Sequence, residues 1–256
     1  MLPATRAVFR ELLRRELEER WRGSLLGAAW LLLLPVLQLL VLAWVFGQIL
    51  PARAGDGQWP YAAFLALGLW PWNLFATATS RGVTALTDNA ALIGQVAVPH
   101  GLYIDTRVAG AVVVEAAGFA AVLFVLWVSG VALSPRGLPV VALALGVVAL
   151  YGLACARLLA VLQVFLRDIA AVIGHLLMLG FFLTPILYAR DALPPAAARW
   201  LAYNPLAPPI EALRAALADA PVAWPALAAS AMGGIALLTL ATWLLRRGRS
   251  HLEDFL

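Results

Sequence analysis

Lysine is absent from all 256 residues, so every one of the 18 cationic side chains is an arginine. That excludes nucleotide hydrolysis through a Gly-x-x-x-x-Gly-Lys-Ser/Thr loop, whose Lys ammonium reaches the β- and γ-phosphates. Charge of either sign is scarce: 12% of residues are charged and 63% apolar, where a soluble domain carries about 25% charge. Too little polar surface remains to coat a water-soluble globule, so the solvent of this chain is lipid. The single cysteine, Cys155, permits no disulfide within the chain and reads as a small buried side chain in an apolar run. No His-Glu-x-x-His helix, paired Asp motif or Ser/His dyad is present. An intramembrane enzyme such as a polyprenyl-phosphate sugar transferase would need such a constellation, and no metal site is expected.

What is present is a series of apolar runs. Leu25 to Leu50, Trp59 to Ser80, Val108 to Ser134, Gly137 to Phe165, Ile169 to Ala189 and Val222 to Leu245 each approach or exceed the roughly 20 helical residues that a bilayer core requires. They predict an all-α membrane protein with six spans. The arginines set its orientation. With the N-terminus inside, thirteen fall in the inner segments and only Arg53, Arg136, Arg190, Arg199 and Arg214 in the outer ones, which puts both termini in the cytoplasm. The first run is too long for the core of a cleaved signal peptide. A secondary transporter would show internal repeats or broken helices; Pro71, Pro185 and Gly233-Gly234 are the only hints of the latter, and the last three spans do not repeat the first three.

Residues 1–24 differ in kind. Phe9, Leu13, Leu17 and Trp21 recur every fourth residue, while Glu11/Arg15, Glu16/Arg20 and Glu18/Arg22 are spaced to pair on the remaining surface. This pattern predicts an amphipathic helix in the cytoplasmic interface. It serves either as an anchor for the first span or, through Arg14, Arg15, Arg20 and Arg22 beside the headgroups, in selecting an anionic lipid-linked substrate. Gly23-Ser24 then lets the chain turn into the membrane.

Two blocks carry a family resemblance. The first is Glu19-Arg20-Trp21-Arg22-Gly23-Ser24-Leu25-Leu26-Gly27-Ala28-Ala29-Trp30 followed by Pro35; the second comprises Phe165-Leu166-Arg167-Asp168-Ile169, Thr184-Pro185-Ile186-Leu187-Tyr188, Leu193-Pro194-Pro195 and Tyr203-Asn204-Pro205-Leu206, with His251-Leu252-Glu253-Asp254-Phe255 at the tail. In order and spacing they resemble the membrane subunits of ABC exporters of lipid-linked polysaccharides (O-antigen, capsule or teichoic acid). Trp21 stands where that family more often has Tyr.

The resemblance implies six spans, an interfacial N-terminal helix, short periplasmic gate helices between spans five and six, and a location in the bacterial inner membrane. It implies a homodimer working with two copies of a soluble ATPase subunit, which would hold the ATP and Mg; this chain itself would carry no cofactor. It implies O-antigen as the first choice of cargo and no nucleic-acid partner. The 25–256 segment would be the transmembrane domain.

Between Arg81 and Arg107, the uncharged stretch 89–99 is too short to span and reads as a short amphipathic helix on the Arg-rich side. By resemblance it is the coupling helix that docks on the ATPase, with Leu92, Ile93 and Val96 as apolar anchors and Asn89, Gln95 and His100 as the polar rim. The segment 190–221 contains six prolines, which leave room for short helices at Ala196 to Ala202 and Ile210 to Ala218. By resemblance these form the periplasmic gate.

Sugars stack their C–H faces on aromatic rings, so Trp30, Trp44, Trp70, Trp72, Phe181, Phe182 and Tyr188 on spans one, two and five are the candidate channel lining. Trp59, Trp127, Trp200, Trp224 and Trp243 lie near span ends and read as interface anchors. Glu115, Arg157 and His175 are the ionisable groups inside spans; too scattered for a proton relay, they include a possible structural pair, Glu115 with Arg157. Asp168 reads as a helix N-cap.

Overall fold

The computed structural model describes residues 3–20, 25–45, 59–93 and 98–248, and among these it is all-helical, without a strand. The readings that fall on Trp21, Arg22, Gly23, Ser24, Gln95, Val96 and the stretch from His251 to Phe255 lie outside the described residues. Among the described residues ten α-helices follow one another: α1 (Pro3–Glu19), α2 (Trp30–Trp44), α3 (Tyr61–Val83), α4 (Ala90–Ile93), α5 (Gly101–Val128), α6 (Leu138–Phe165), α7 (Ile169–Leu183), α8 (Pro195–Leu201), α9 (Ala207–Leu217) and α10 (Trp224–Arg247). Three stretches, Gly101–Val128, Pro135–Phe165 and Trp224–Arg247, are long and apolar enough to cross a membrane. α2 and α7 are apolar but only 15 residues long, about 22 Å at 1.5 Å per residue.

Several boundaries differ from the sequence reading for identifiable reasons. The fifth run stops at Leu183 rather than Ala189, because Pro185 excludes Thr184 from helical geometry and places it at φ −102°, ψ 144°. α5 begins at Gly101, seven residues before Val108, since the polar Asp105 and Arg107 are solvated or paired on one face of a continuous helix. Its other end is set by Gly130, whose φ of +82° only glycine adopts freely. There the Val131 amide reaches back to the Leu126 carbonyl at 3.0 Å. α9 starts at Ala207, because Pro208 and Pro209 occupy the first turn, where a missing N–H costs nothing. Asp168 holds the N-cap position of α7, yet its side chain makes no capping bond.

α3 is the central helix, with buried positions around its whole circumference from Ala63 to Val83. It packs against α2, α5, α6, α7 and α9. Its crossing with α6 is made close by small residues on both sides. A side chain on Gly82 would stand 2.3 Å from the Ala156 Cβ, and one on Gly152 would stand 2.8 Å from the Ala78 Cβ. Ala78/Gly82 and Gly152/Ala156 are each four residues apart, so one turn of each helix presents a flat face to the other, the usual solution where lipid supplies no hydrophobic drive. α10 packs on the opposite flank of α6, where the Tyr151 hydroxyl donates to the Ser230 carbonyl at 2.8 Å.

Two arginines fasten the bundle. Arg157 does not pair with Glu115; it chelates Asp105 through Nη2 at 2.7 Å to both carboxylate oxygens and reaches Thr242 at 2.6 Å, tying α6 to α5 and α10. Glu115 instead accepts from Thr77 at 2.9 Å. Buried Arg214 of α9 donates to the carbonyls of Pro185, Ile186 and Phe64 at 2.6–3.0 Å and lies 3.7 Å over the Phe64 ring. It thereby joins α9, α3 and the turn after α7, and leaves no room for a Cβ on Gly68. α7, by contrast, has no buried residue.

Candidate functional site

Two of the grooves in the bundle are lined by the candidate channel aromatics. The aromatic groove, about 860 Å³, lies between α3, α6, α7 and the turns around α8. Its lining includes Trp72, Tyr151, Cys155, Tyr188, Trp200 and Tyr203. Of the candidate channel aromatics it brings together Trp72 and Tyr188. Phe181 meets the edge of Trp72 with centroids 6.2 Å apart. Phe182, 55% exposed, stacks edge-on against Phe181 outside the groove. Trp200, read from sequence as an interface anchor, belongs to this lining; the α8 helix folds back and carries it there.

The polar groove, about 720 Å³, opens between α2, α3 and α5 beside the C-terminal end of α1. Arg20, Trp30, Gln38, Trp70, Asn73 and Glu115 are among its walls. Trp30 and Trp70 are thus grouped with each other, apart from Trp72 and Tyr188. Trp44 lies in neither groove and is exposed at the far end of α2. Trp127, Trp224 and Trp243 are exposed, and Trp59 donates to the Ala132 carbonyl at 2.8 Å.

The arginines of α1 divide into two kinds. Arg14 and Arg15 are exposed and bound to Glu18 and Glu19 at 2.6 Å, one turn on. Arg20 is partly buried, and its Nε and Nη2 meet no hydrogen-bond partner among the described residues. Burial first, then the like charge of Arg81, pushes its pKa below the ordinary guanidinium value. The expected i+4 pairs of Glu16 with Arg20 and Glu11 with Arg15 are replaced. Glu16, 5% exposed, turns inward between Arg81, which donates from Nε at 2.9 Å, and Arg107 at 3.1 Å. Long-range partners on α3 and α5 win because two cations converge there on one buried carboxylate.

Arg107 also reaches Asp88 at 3.4 Å, in the 3-10 turn Thr87–Asn89 that leads into α4. The expected coupling segment therefore starts from a turn anchored to α5 and, through Glu16, to α1. Asn89 closes that turn by donating to the Ala85 carbonyl at 2.8 Å, and does not stand free at a rim. Leu92 and Ile93 are half-buried, Ile93 against the core shared by α3, α5 and α6. His100 is 5% exposed at the start of α5 and so is part of the interior, not of a polar rim. The pairs Glu16/Arg81, Arg107/Asp88 and Arg157/Asp105 escaped the sequence reading because each spans a separation that no helical spacing encodes.

A lipid-embedded helical bundle with groove-lining aromatics, and with its soluble-side charges gathered beside a short helix, is the build of a transporter's membrane subunit. Residues 7–218 match the ABC-2 type transporter membrane family, and the chain belongs to it. It is 32% identical over 209 residues to the O-antigen export system permease protein RfbA of Myxococcus xanthus, covering 78% of this chain and 76% of that one. To a Klebsiella pneumoniae protein of the same name it is 26% identical over 196 residues, with 75% and 73% covered. To the Polysialic acid transport protein KpsM of Escherichia coli it is 25% identical over 209 residues, with 80% and 79% covered. The chain is accordingly a multi-pass membrane subunit of a transporter.

Proposed function

We propose that this chain is the permease subunit of an ATP-driven exporter that carries a lipid-linked polysaccharide, O-antigen in the first instance, out of the bacterial cytoplasm across the inner membrane. Membership of the ABC-2 family, together with relatives named for O-antigen and polysialic acid transport that align over three quarters of the chain, is the observation that carries the reading. In this account α2, α3, α5, α6, α7 and α10 are the six spans. α1 lies in the cytoplasmic interface, both termini are cytoplasmic, and α8 and α9 form the periplasmic gate.

Two copies would enclose the path. The outer face of α7, exposed at Val172, Met178, Leu179 and Phe182, and the aromatic groove beside it are what a second copy and a passing glycan would cover. A separate ATPase subunit would bind ATP and Mg and dock on the segment around α4, with Leu92 and Val96 as contacts. The absence of lysine supports that division of labour. A capsule cargo, to which the polysialic acid transport relative points, or a teichoic acid cargo is the alternative.

The reading is tested by purifying the chain alone and with a candidate partner ATPase subunit. The expected result is ATP turnover only in the pair, stimulated by lipid-linked glycan. Turnover by the chain alone, or a pair indifferent to every lipid-linked glycan offered, would overturn it.

A further inference from the structure

The polar groove holds a combination that the aromatic groove lacks. Arg20 lines its mouth, and the buried Nε and Nη2 of that guanidinium have no acceptor among the described residues. A second cation, Arg81, stands beside it but is already engaged by Glu16. Further in, the walls carry Trp30 and Trp70 together with the side-chain amides of Gln38 and Asn73. Ser80 and Trp70 both line it from α3 and are ten residues apart, so the groove runs about 15 Å inward from the charged end. Amides in a groove between membrane helices are costly unless a polar occupant satisfies them.

We infer that this groove binds the headgroup of a glycosylated lipid phosphate, with the phosphate on Arg20 and the first sugar between Trp30, Trp70 and Asn73. Charge fixes the polarity of binding. Arg20 offers charge-assisted donors to phosphate oxygens at the mouth, whereas Glu115, deeper and held by Thr77, repels a phosphate and accepts from sugar hydroxyls. Tryptophan faces and amides are the groups that recognise a pyranose. An ordinary phospholipid satisfies the mouth and leaves the deeper amides without partners. The inference rests on the export reading and names where the cargo's junction between lipid and sugar is held.

The test uses the full chain in nanodiscs of neutral phosphatidylcholine, titrated with three probes. These are a short-chain isoprenyl pyrophosphoryl-N-acetylglucosamine, the same isoprenyl pyrophosphate without sugar, and short-chain phosphatidylglycerol. Arg20→Gln is expected to weaken the two pyrophosphates by about tenfold or more, the effect of losing a hydrogen bond to a charged group. Asn73→Ala and Trp30→Leu should weaken only the glycosylated probe. Arg136→Gln, exposed in the turn before α6, should change nothing. Thermal unfolding of each variant checks that it is folded. Equal binding of all three probes, unmoved by Asn73→Ala and Trp30→Leu, would make the groove a bulk-lipid site and overturn the inference, as would affinities that ignore Arg20→Gln. Either failure leaves the export reading intact so long as the wild-type chain with its ATPase still moves glycan; loss of that wild-type movement is the separate failure of the export reading.

Discussion

Nε of Arg107 on α5 lies 3.1 Å from the buried carboxylate of Glu16 on α1. The same guanidinium holds Asp88 ahead of α4, so one side chain joins α1, the bundle and the segment proposed to meet the ATPase. A push on α4 has a charged route to α1 through Asp88, Arg107 and Glu16, and α1 ends at the polar groove with Arg20.

Glu16→Ala should therefore be costly. It leaves Arg81 and Arg107 facing each other without the shared anion, and removing one partner of a buried pair costs about 3–5 kcal/mol. Asp88, 43% exposed, should matter less, with Asp88→Asn costing up to about 1 kcal/mol. Thermal unfolding in detergent measures both. Equal shifts for the two variants would show that Glu16 is not the centre of the network.

The small faces of α3 and α6 give a second prediction. Gly152→Leu inserts a side chain where a Cβ would already stand 2.8 Å from Ala78. Overpacking of this kind costs about 1–3 kcal/mol and should lower the unfolding temperature. Ala78→Gly in the same chain should recover part of the loss. A Gly152→Leu protein as stable as the parent would mean that the two helices cross elsewhere.

The apolar runs and the arginines around them made the helices legible in the sequence, because length and polarity are local properties. The short helices α8 and α9 were legible for the same reason, prolines marking their first turns. The site was less so. Trp30 and Trp70 look equivalent to Trp72 in a list of membrane aromatics, yet the rotation of α3 sends Trp70 toward α2 and α5 and Trp72 toward α7. Likewise Glu16 is spaced to pair with Arg20 on its own helix, and only the approach of α3 and α5 offers it two better partners. The Ala78/Gly82 and Gly152/Ala156 spacings were readable signals of a close crossing.

At α4 the structure separates two proposed docking residues that the sequence treats alike. Ile93 packs against the interior whereas Leu92 is no part of that cluster. Leu92→Asp should abolish co-purification with the ATPase while the chain remains folded, since an unpaired charge is excluded from an apolar docking groove. Ile93→Asp should also lower the unfolding temperature. Retained co-purification in Leu92→Asp, checked by affinity capture of the ATPase, would move the docking site off this segment.

Cys155 provides a probe that requires no substitution. It lines the aromatic groove from α6, so a membrane-impermeant thiol reagent should label it faster during ATP turnover with substrate than at rest. Cysteines placed at Trp127 or Trp243, in a Cys155→Ser chain, should stay unlabelled because those positions are exposed to lipid. Labelling that follows the reverse pattern, measured by mass shift, would place water on the wrong face of the bundle.

The central claim is that this chain, driven by a separate ATPase, moves a lipid-linked glycan across a bilayer. It is tested most directly by reconstituting both subunits in vesicles, with their ATPase face outward and lipid-linked glycan supplied on that side. The fraction of glycan that resists an added glycosidase is then followed. The account predicts that ATP raises the protected fraction only when both proteins are present, and that ATP without this chain leaves it unchanged. Protection that rises without ATP, or fails to rise with both subunits and ATP together, would contradict it.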